Sequence, residues 1–119
     1  MTTQPRPIVF DKQHALARLG GLDDVLQDVM ELMVTESTKV HAEIAASFGR
    51  RDSVGLKCSA HTLKGSVSLV GAHDLVGRLK RVEDFAGRGD LETAALEFEE
   101  IDRQFFELQE LLAAELQAV

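Results

Sequence analysis

Leu56-Lys57-Cys58-Ser59-Ala60-His61-Thr62-Leu63-Lys64-Gly65-Ser66-Val67-Ser68-Leu69-Val70 is the stretch that decides the fold. Its apolar residues Leu56, Ala60, Leu63, Val67 and Val70 are spaced 4, 3, 4 and 3. That spacing lines one face of a helix, because about 3.6 residues complete a turn. Asp52 or Ser53 stands where the helix would be capped, and Gly71 marks its end.

The same rhythm continues on both sides. Upstream, Leu22, Leu26, Val29, Met33, Val40, Ile44 and Phe48 predict a long helix over about 23–48, with a polar stretch at Thr35 to Lys39. Before it, a short helix over about 11–18 is stopped by Gly20-Gly21. Downstream, Leu75, Leu79, Val82 and Ala86 predict a fourth helix. The turn Gly87-Arg88-Gly89-Asp90 then leads into a last one with Phe98, Ile101, Phe105, Leu108, Leu112 and Leu116 on one side. Both prolines lie at positions 5 and 7, so nothing after them interrupts a helix. No strand signal and no repeat is found. Short connections make successive helices antiparallel neighbours. The expected fold is all-α: an antiparallel up-down four-helix bundle with a short additional N-terminal helix. One domain is expected over 1–119, with 1–9 as a flexible lead-in.

The totals agree with one small domain. The 119 residues are 45% hydrophobic and 5% aromatic, with no Trp or Tyr, so Leu, Val, Ile, Ala and six Phe must build the core. A net charge of −7 argues against nucleic acid and against an anionic membrane surface as partners. No apolar run is long enough for a membrane span, and no signal peptide follows Met1. Cys58 is the single cysteine, which excludes an internal disulfide. A cytoplasmic, monomeric protein is expected.

The chemistry gathers on the polar side of the central stretch. On a helix, His61 points about 140° away from the apolar stripe, into solvent. Lys57, Lys64, Gly65 and Ser68 lie at −4, +3, +4 and +7 from it and share its face. A neutral imidazole is a nucleophile at cellular pH. Phosphoryl transfer requires in-line access to it. Gly65 costs about 1 kcal/mol in a helix interior, and close approach of another molecule would explain its presence. Lys64 and Lys57 can neutralise phosphoryl charge. Leu69 lies beside the face and offers a partner an apolar contact.

Ala60-His61-Thr62-Leu63-Lys64-Gly65-Ser66, followed by Gly71-Ala72, resembles the signature of histidine-containing phosphotransfer (HPt) domains. Leu75, Leu79 and Glu83 resemble that family's following helix. The resemblance implies a phosphorelay intermediate with His61 as phosphoacceptor and Lys64 and Gly65 as part of the motif. It implies receiver domains or a hybrid sensor histidine kinase as partners, with Mg²⁺ held by the receiver and no cofactor in this chain. It also implies a carrier without autonomous kinase activity. Leu69 departs from the family, which often has a polar residue there, and Val67 stands where small residues are frequent. Donor, acceptor and direction of flow stay open, as does whether the chain is a whole protein or a domain of a larger kinase.

The alternatives are a binding-only helical adaptor and the His-bearing domain of a chemotaxis-type kinase, whose His is phosphorylated by an ATP-binding domain that this chain is too short to include; less well matched is the dimerisation domain of an ordinary sensor kinase. In the latter an acidic residue follows the His and a Pro comes soon after, whereas Thr62 follows His61 here. His14, His41 and His73 are read as surface residues, and Cys58 as structural. Glu83 and Asp84 are read as partners of Lys80 or Arg81, or as a solvated face. Glu97, Glu99, Glu100, Asp102, Glu107 and Glu110 are read as a solvated acidic face. Arg88-Gly89-Asp90 is read as a turn with Asp90 as cap. No paired ligand spacing suggests a metal.

Overall fold

The computed structural model describes residues 10–118. The expected lead-in at 1–9 lies outside them. Five helices and no strand are found among the described residues: α1 (Lys12–Arg18), α2 (Asp23–Gly49), α3 (Ser53–Ser68), α4 (His73–Gly87) and α5 (Leu91–Gln117). Three begin on an aspartate whose side chain accepts from a backbone N–H three residues on. Asp11 takes His14, Asp52 takes Gly55 and Asp90 takes Thr93, at 2.9–3.1 Å. Each satisfies a donor that the first turn leaves without an intrahelical partner.

Helix α2 packs on α3, α3 on α4, α4 on α5, and α5 back on α2, so the four long helices enclose one core. The stripe that predicted α3 is fully buried at Leu56, Ala60, Leu63, Val67 and Val70. Burying a leucine of this kind contributes about 1.5–3 kcal/mol. Leu75, Leu79, Ile101, Phe105, Leu108 and Leu112 meet it from α4 and α5. The short helix α1 is tied to the α3–α4 turn, where Asp11 N donates to Val70 O at 2.9 Å. Gly71 turns there with φ +73°, and a Cβ on it would come within 2.7 Å of the Asp11 Cβ. Only glycine fits that close approach.

Several expectations change. Leu22 precedes α2 and is exposed, while Met30, absent from the expected stripe, is buried. The Thr35 to Lys39 stretch does not interrupt α2. Thr35 and Thr38 hydroxyls donate back to the carbonyls of Glu31 and Val34. Cys58 is exposed rather than structural. His41 is not a surface residue. Its ring stacks on Phe105 at 4.4 Å and donates from Nε2 to Asp102 Oδ1 at 2.7 Å. His14 is half-buried and meets exposed His73 edge-on at 4.7 Å. The acidic face of α5 is largely paired rather than simply solvated. Glu97 accepts from Arg78 and Arg81, Glu100 from Arg103, and Asp102 from His41.

Candidate functional site

Helix α3 carries His61 on the side opposite its buried stripe, and α4 runs alongside. The imidazole is open, with 69% of its side-chain surface exposed. Behind it stands Glu83 of α4, whose side chain is only 8% exposed. Glu83 Oε2 lies 3.2 Å from His61 Nδ1, and Lys64 Nζ lies 2.7 Å from Glu83 Oε1. The lysine contact is an ion pair rather than a well-directed hydrogen bond, because Oε1 accepts none.

These contacts set the state of the ring. A carboxylate only accepts, so Nδ1 must donate to Glu83. In the neutral imidazole the single proton then sits on Nδ1, and the Nε2 lone pair faces outward. A buried carboxylate needs compensating charge, and Lys64 supplies it. The trio is a nucleophilic nitrogen, a buried anion behind the ring and a cation one turn along.

Glu83 was misread from sequence as a partner of Lys80 or Arg81. Lys80 pairs instead with Asp84 at 3.1 Å, and Arg81 with Glu97 at 2.9 Å. A signal was present. Leu75, Leu79, Glu83 and Ala86 follow one another at steps of four, four and three, so Glu83 falls on the apolar stripe of its helix. A carboxylate on a buried stripe demands a partner from another element.

The other predicted residues divide. Gly65 is exposed, and a Cβ on it would meet nothing within 4 Å. Packing within this chain therefore does not require glycine there. Lys57 shares the face of His61, but its Nζ reaches across to Gly87, 3.7 Å from where a Cβ would stand. Ser68 uses its hydroxyl on its own helix, donating to Gly65 O at 2.8 Å. Leu69 caps the end of α3 and lines a groove against α2. No cluster of three or more metal-ligating side chains occurs among the described residues. No helix among them is long and apolar enough to cross a membrane.

The comparisons with known proteins fit this arrangement. The Hpt domain family matches residues 28–119, most of the chain. The fold is similar to the crystal structure of histidine-containing phosphotransfer protein B from Pseudomonas aeruginosa PAO1. The TM-score is 0.84 and the sequence identity 26%, over 92% of this chain and 96% of that one. No curated protein matches in sequence. The chain belongs to the Hpt domain family, with a role in histidine phosphotransfer within a phosphorelay.

Proposed function

We propose that Nε2 of His61 takes a phosphoryl group from the aspartyl phosphate of one receiver domain and gives it to the aspartate of another. The carrying observation is the exposed ring whose Nδ1 is held by buried Glu83, which leaves Nε2 free. In the attack, the Nε2 lone pair forms the N–P bond. The P–O bond to the donor aspartate breaks, and its electron pair leaves on the carboxylate oxygen. The ring becomes imidazolium-like and keeps its proton on Nδ1. Glu83 lies against that proton and opposes the developing charge. In the return step the imidazole leaves as a neutral group.

Lys64 is the cation for the phosphoryl oxygens, shared with Glu83. Gly65 leaves room for the receiver, which brings the acidic pocket and its Mg²⁺. Lys57, Ser68 and Leu69 support docking around the site. The scaffold is read as an up-down antiparallel four-helix bundle, consistent with the closed ring of neighbours from α2 to α5. The chain is read as a monomeric cytoplasmic carrier without kinase activity of its own.

The test is phosphorylation of the purified protein with phosphoramidate, followed by intact mass. One acid-labile, base-stable phosphoryl adduct is expected, and His61→Gln should carry none. A folded wild-type protein that takes no phosphoryl group, or a variant that still does, would sink this assignment.

A further inference from the structure

Helices α3 and α4 pack on α2 and α5 respectively, so the seam between α2 and α5 lies on the side of the bundle opposite His61 and Glu83. The aromatic residues collect along it. Of six phenylalanines, Phe48, Phe98, Phe105 and Phe106 stand there, in ring contact with His41 or with one another. Phe105 is buried, Phe48 and Phe98 are half-buried, and Phe106 is 51% exposed. Near the C-terminus of α2 the seam opens into a hollow of about 390 Å³, walled by Ala45, Phe48, Leu91, Ala95 and Phe98. Ala45 and Ala95 are exposed, so no long side chain stands at either position between the rings and an incoming backbone. From Ala95 to Phe106 the face extends along α5 for about 16 Å, or three turns.

The α5 edge of this face is acidic. Glu99 lies one turn from Ala95 and Asp102, and Glu110 one turn from Phe106. Both glutamates are exposed and have no ion-pair partner among the described residues. Asp102 accepts from His41 and still keeps 44% of its side-chain surface open. Across the seam α2 presents Thr38 and Ala45, which carry no charge. On the α4 side of the same helix the acids are spent, since Glu97 and Glu100 are paired with arginines. An aromatic trough between two helices, charged along one edge only, complements a third helix with an apolar stripe and a basic flank. A second copy of this chain is a poor occupant. Its net charge is −7, and its own Glu99, Asp102 and Glu110 would face these.

We propose that the α2–α5 seam is a second interaction surface, which takes an amphipathic, basic-flanked helix of another protein. The rings supply the contact, and Glu99, Asp102 and Glu110 select the charge of the partner. Because the seam lies behind His61, one protein holds the carrier here while the imidazole stays open to others. The seam's role does not rest on the reading of His61.

The probe is a labelled synthetic helix of about four turns, with Leu recurring at steps of three and four and Lys elsewhere. Its counterpart has Glu in place of every Lys. Fluorescence anisotropy should show the Lys helix binding about tenfold or more tighter than the Glu helix. Phe106→Ser and Ala95→Arg, both at exposed positions, should each weaken that binding about tenfold or more, while Leu32→Gln on the α3 side of α2 leaves it within about twofold. The double variant Glu99→Gln, Glu110→Gln should weaken binding and flatten its salt dependence. Asp24→Asn with Asp28→Asn, which removes the same charge farther along α2, should do neither. Phosphoramidate uptake at His61 with the helix bound should stay within about twofold of the free protein. A Lys helix that binds Phe106→Ser and Ala95→Arg as it binds wild type would overturn the proposal, as would a Glu helix that binds equally well. Blocked uptake at His61 would also overturn it, because the helix would then sit on the α3 side. So would a dimer in sedimentation equilibrium that Phe106→Ser dissolves, with a second copy as the occupant.

Discussion

His61 and His41 are each bonded to a carboxylate on the helix opposite, and the two pairs are built the other way round. At α3–α4 the imidazole is 69% exposed and the acid 8%. At α2–α5 the imidazole is 12% exposed and the acid 44%. His61 is held through Nδ1, at 3.2 Å, and shows its other nitrogen to solvent. His41 is held through Nε2, at 2.7 Å, with its ring against Phe98, Phe105 and Phe106. A carboxylate partner therefore does not by itself make a histidine reactive. Reactivity depends on which atom of the pair is left outside: an open nitrogen over a buried anion can carry a group, while a buried ring under an open anion joins two helices.

The sharpest way to break this contrast is to remove each ring. His61→Gln should abolish the phosphoryl adduct in intact mass yet shift unfolding by no more than about 0.5 kcal/mol. His41→Gln should keep the adduct and lower the unfolding free energy by about 1–3 kcal/mol, from lost stacking and a lost hydrogen bond. Urea titration reads the second quantity. An adduct that disappears with His41 would refute the division of roles.

Changing the acids is the next test. Glu83→Gln removes the charge behind the ring and allows an amide N–H to face Nδ1. The proton would then be driven to Nε2, the proposed nucleophile. Uptake from phosphoramidate should fall about tenfold or more, within the range for acid–base positioning. Asp102→Asn should leave uptake within about twofold and cost about 1 kcal/mol of stability. Equal uptake in wild type and Glu83→Gln would make Glu83 a structural residue only.

The two pairs were unequally visible in the sequence. Leu56, Ala60, Leu63, Val67 and Val70 are all fully buried because a stripe within one helix obeys its own period. Asp52 and Asp90 were readable as caps for the same local reason. The exposure of His61 followed from that stripe as well. What joins one helix to another carries no such period. Helix α2 has 27 residues, and its packing against α3 and α5 buried Met30 and left Leu22 out. Whether His41 met Phe105, or Glu83 met His61, depended on how neighbouring helices were set against each other. Glu83 alone left a trace, as a charge on an apolar stripe. Cys58, three residues before His61, lies only about 60° from it round α3, so the same stripe already placed it on the open side, and reading it as structural overlooked that.

Glycine offers a subtler test of the open face. Gly65 and Gly77 both lie inside helices, and a Cβ on either would meet nothing within 4 Å. Each change to Ala should stabilise the fold by about 1 kcal/mol, or roughly 3–5 °C in Tm. Gly77→Ala should leave transfer from a phosphorylated receiver unchanged. Gly65→Ala should slow that transfer about threefold or more while phosphoramidate uptake holds, since a small donor needs less room. If both variants transfer like wild type, the absence of a side chain at position 65 does not serve docking.

The smallest expected effect lies in a third cluster, which separates charge that holds the fold from charge that serves the site. Asp74 of α4 accepts from the Gln104 amide at 2.6 Å and from Arg78 at 2.7 Å. These bonds, that of Gln104 foremost, hold its carboxyl below the ordinary aspartate value. An unfolded aspartate titrates near about 3.9, so below that pH the unfolded chain binds the proton more readily than the folded one. The stability that Asp74 contributes is complete above that value and is lost as pH falls through the lower, folded one. The side chain is 39% exposed, so water screens the pair and about 1 kcal/mol or less is at stake. Asp74→Asn should flatten the decline in urea midpoint below about pH 4 and leave phosphoryl uptake at neutral pH alone. If the acid decline persisted in Asp74→Asn but vanished in Glu83→Gln, the His61 pair would be holding the fold. The line drawn between a reactive pair and a structural one would then be in the wrong place.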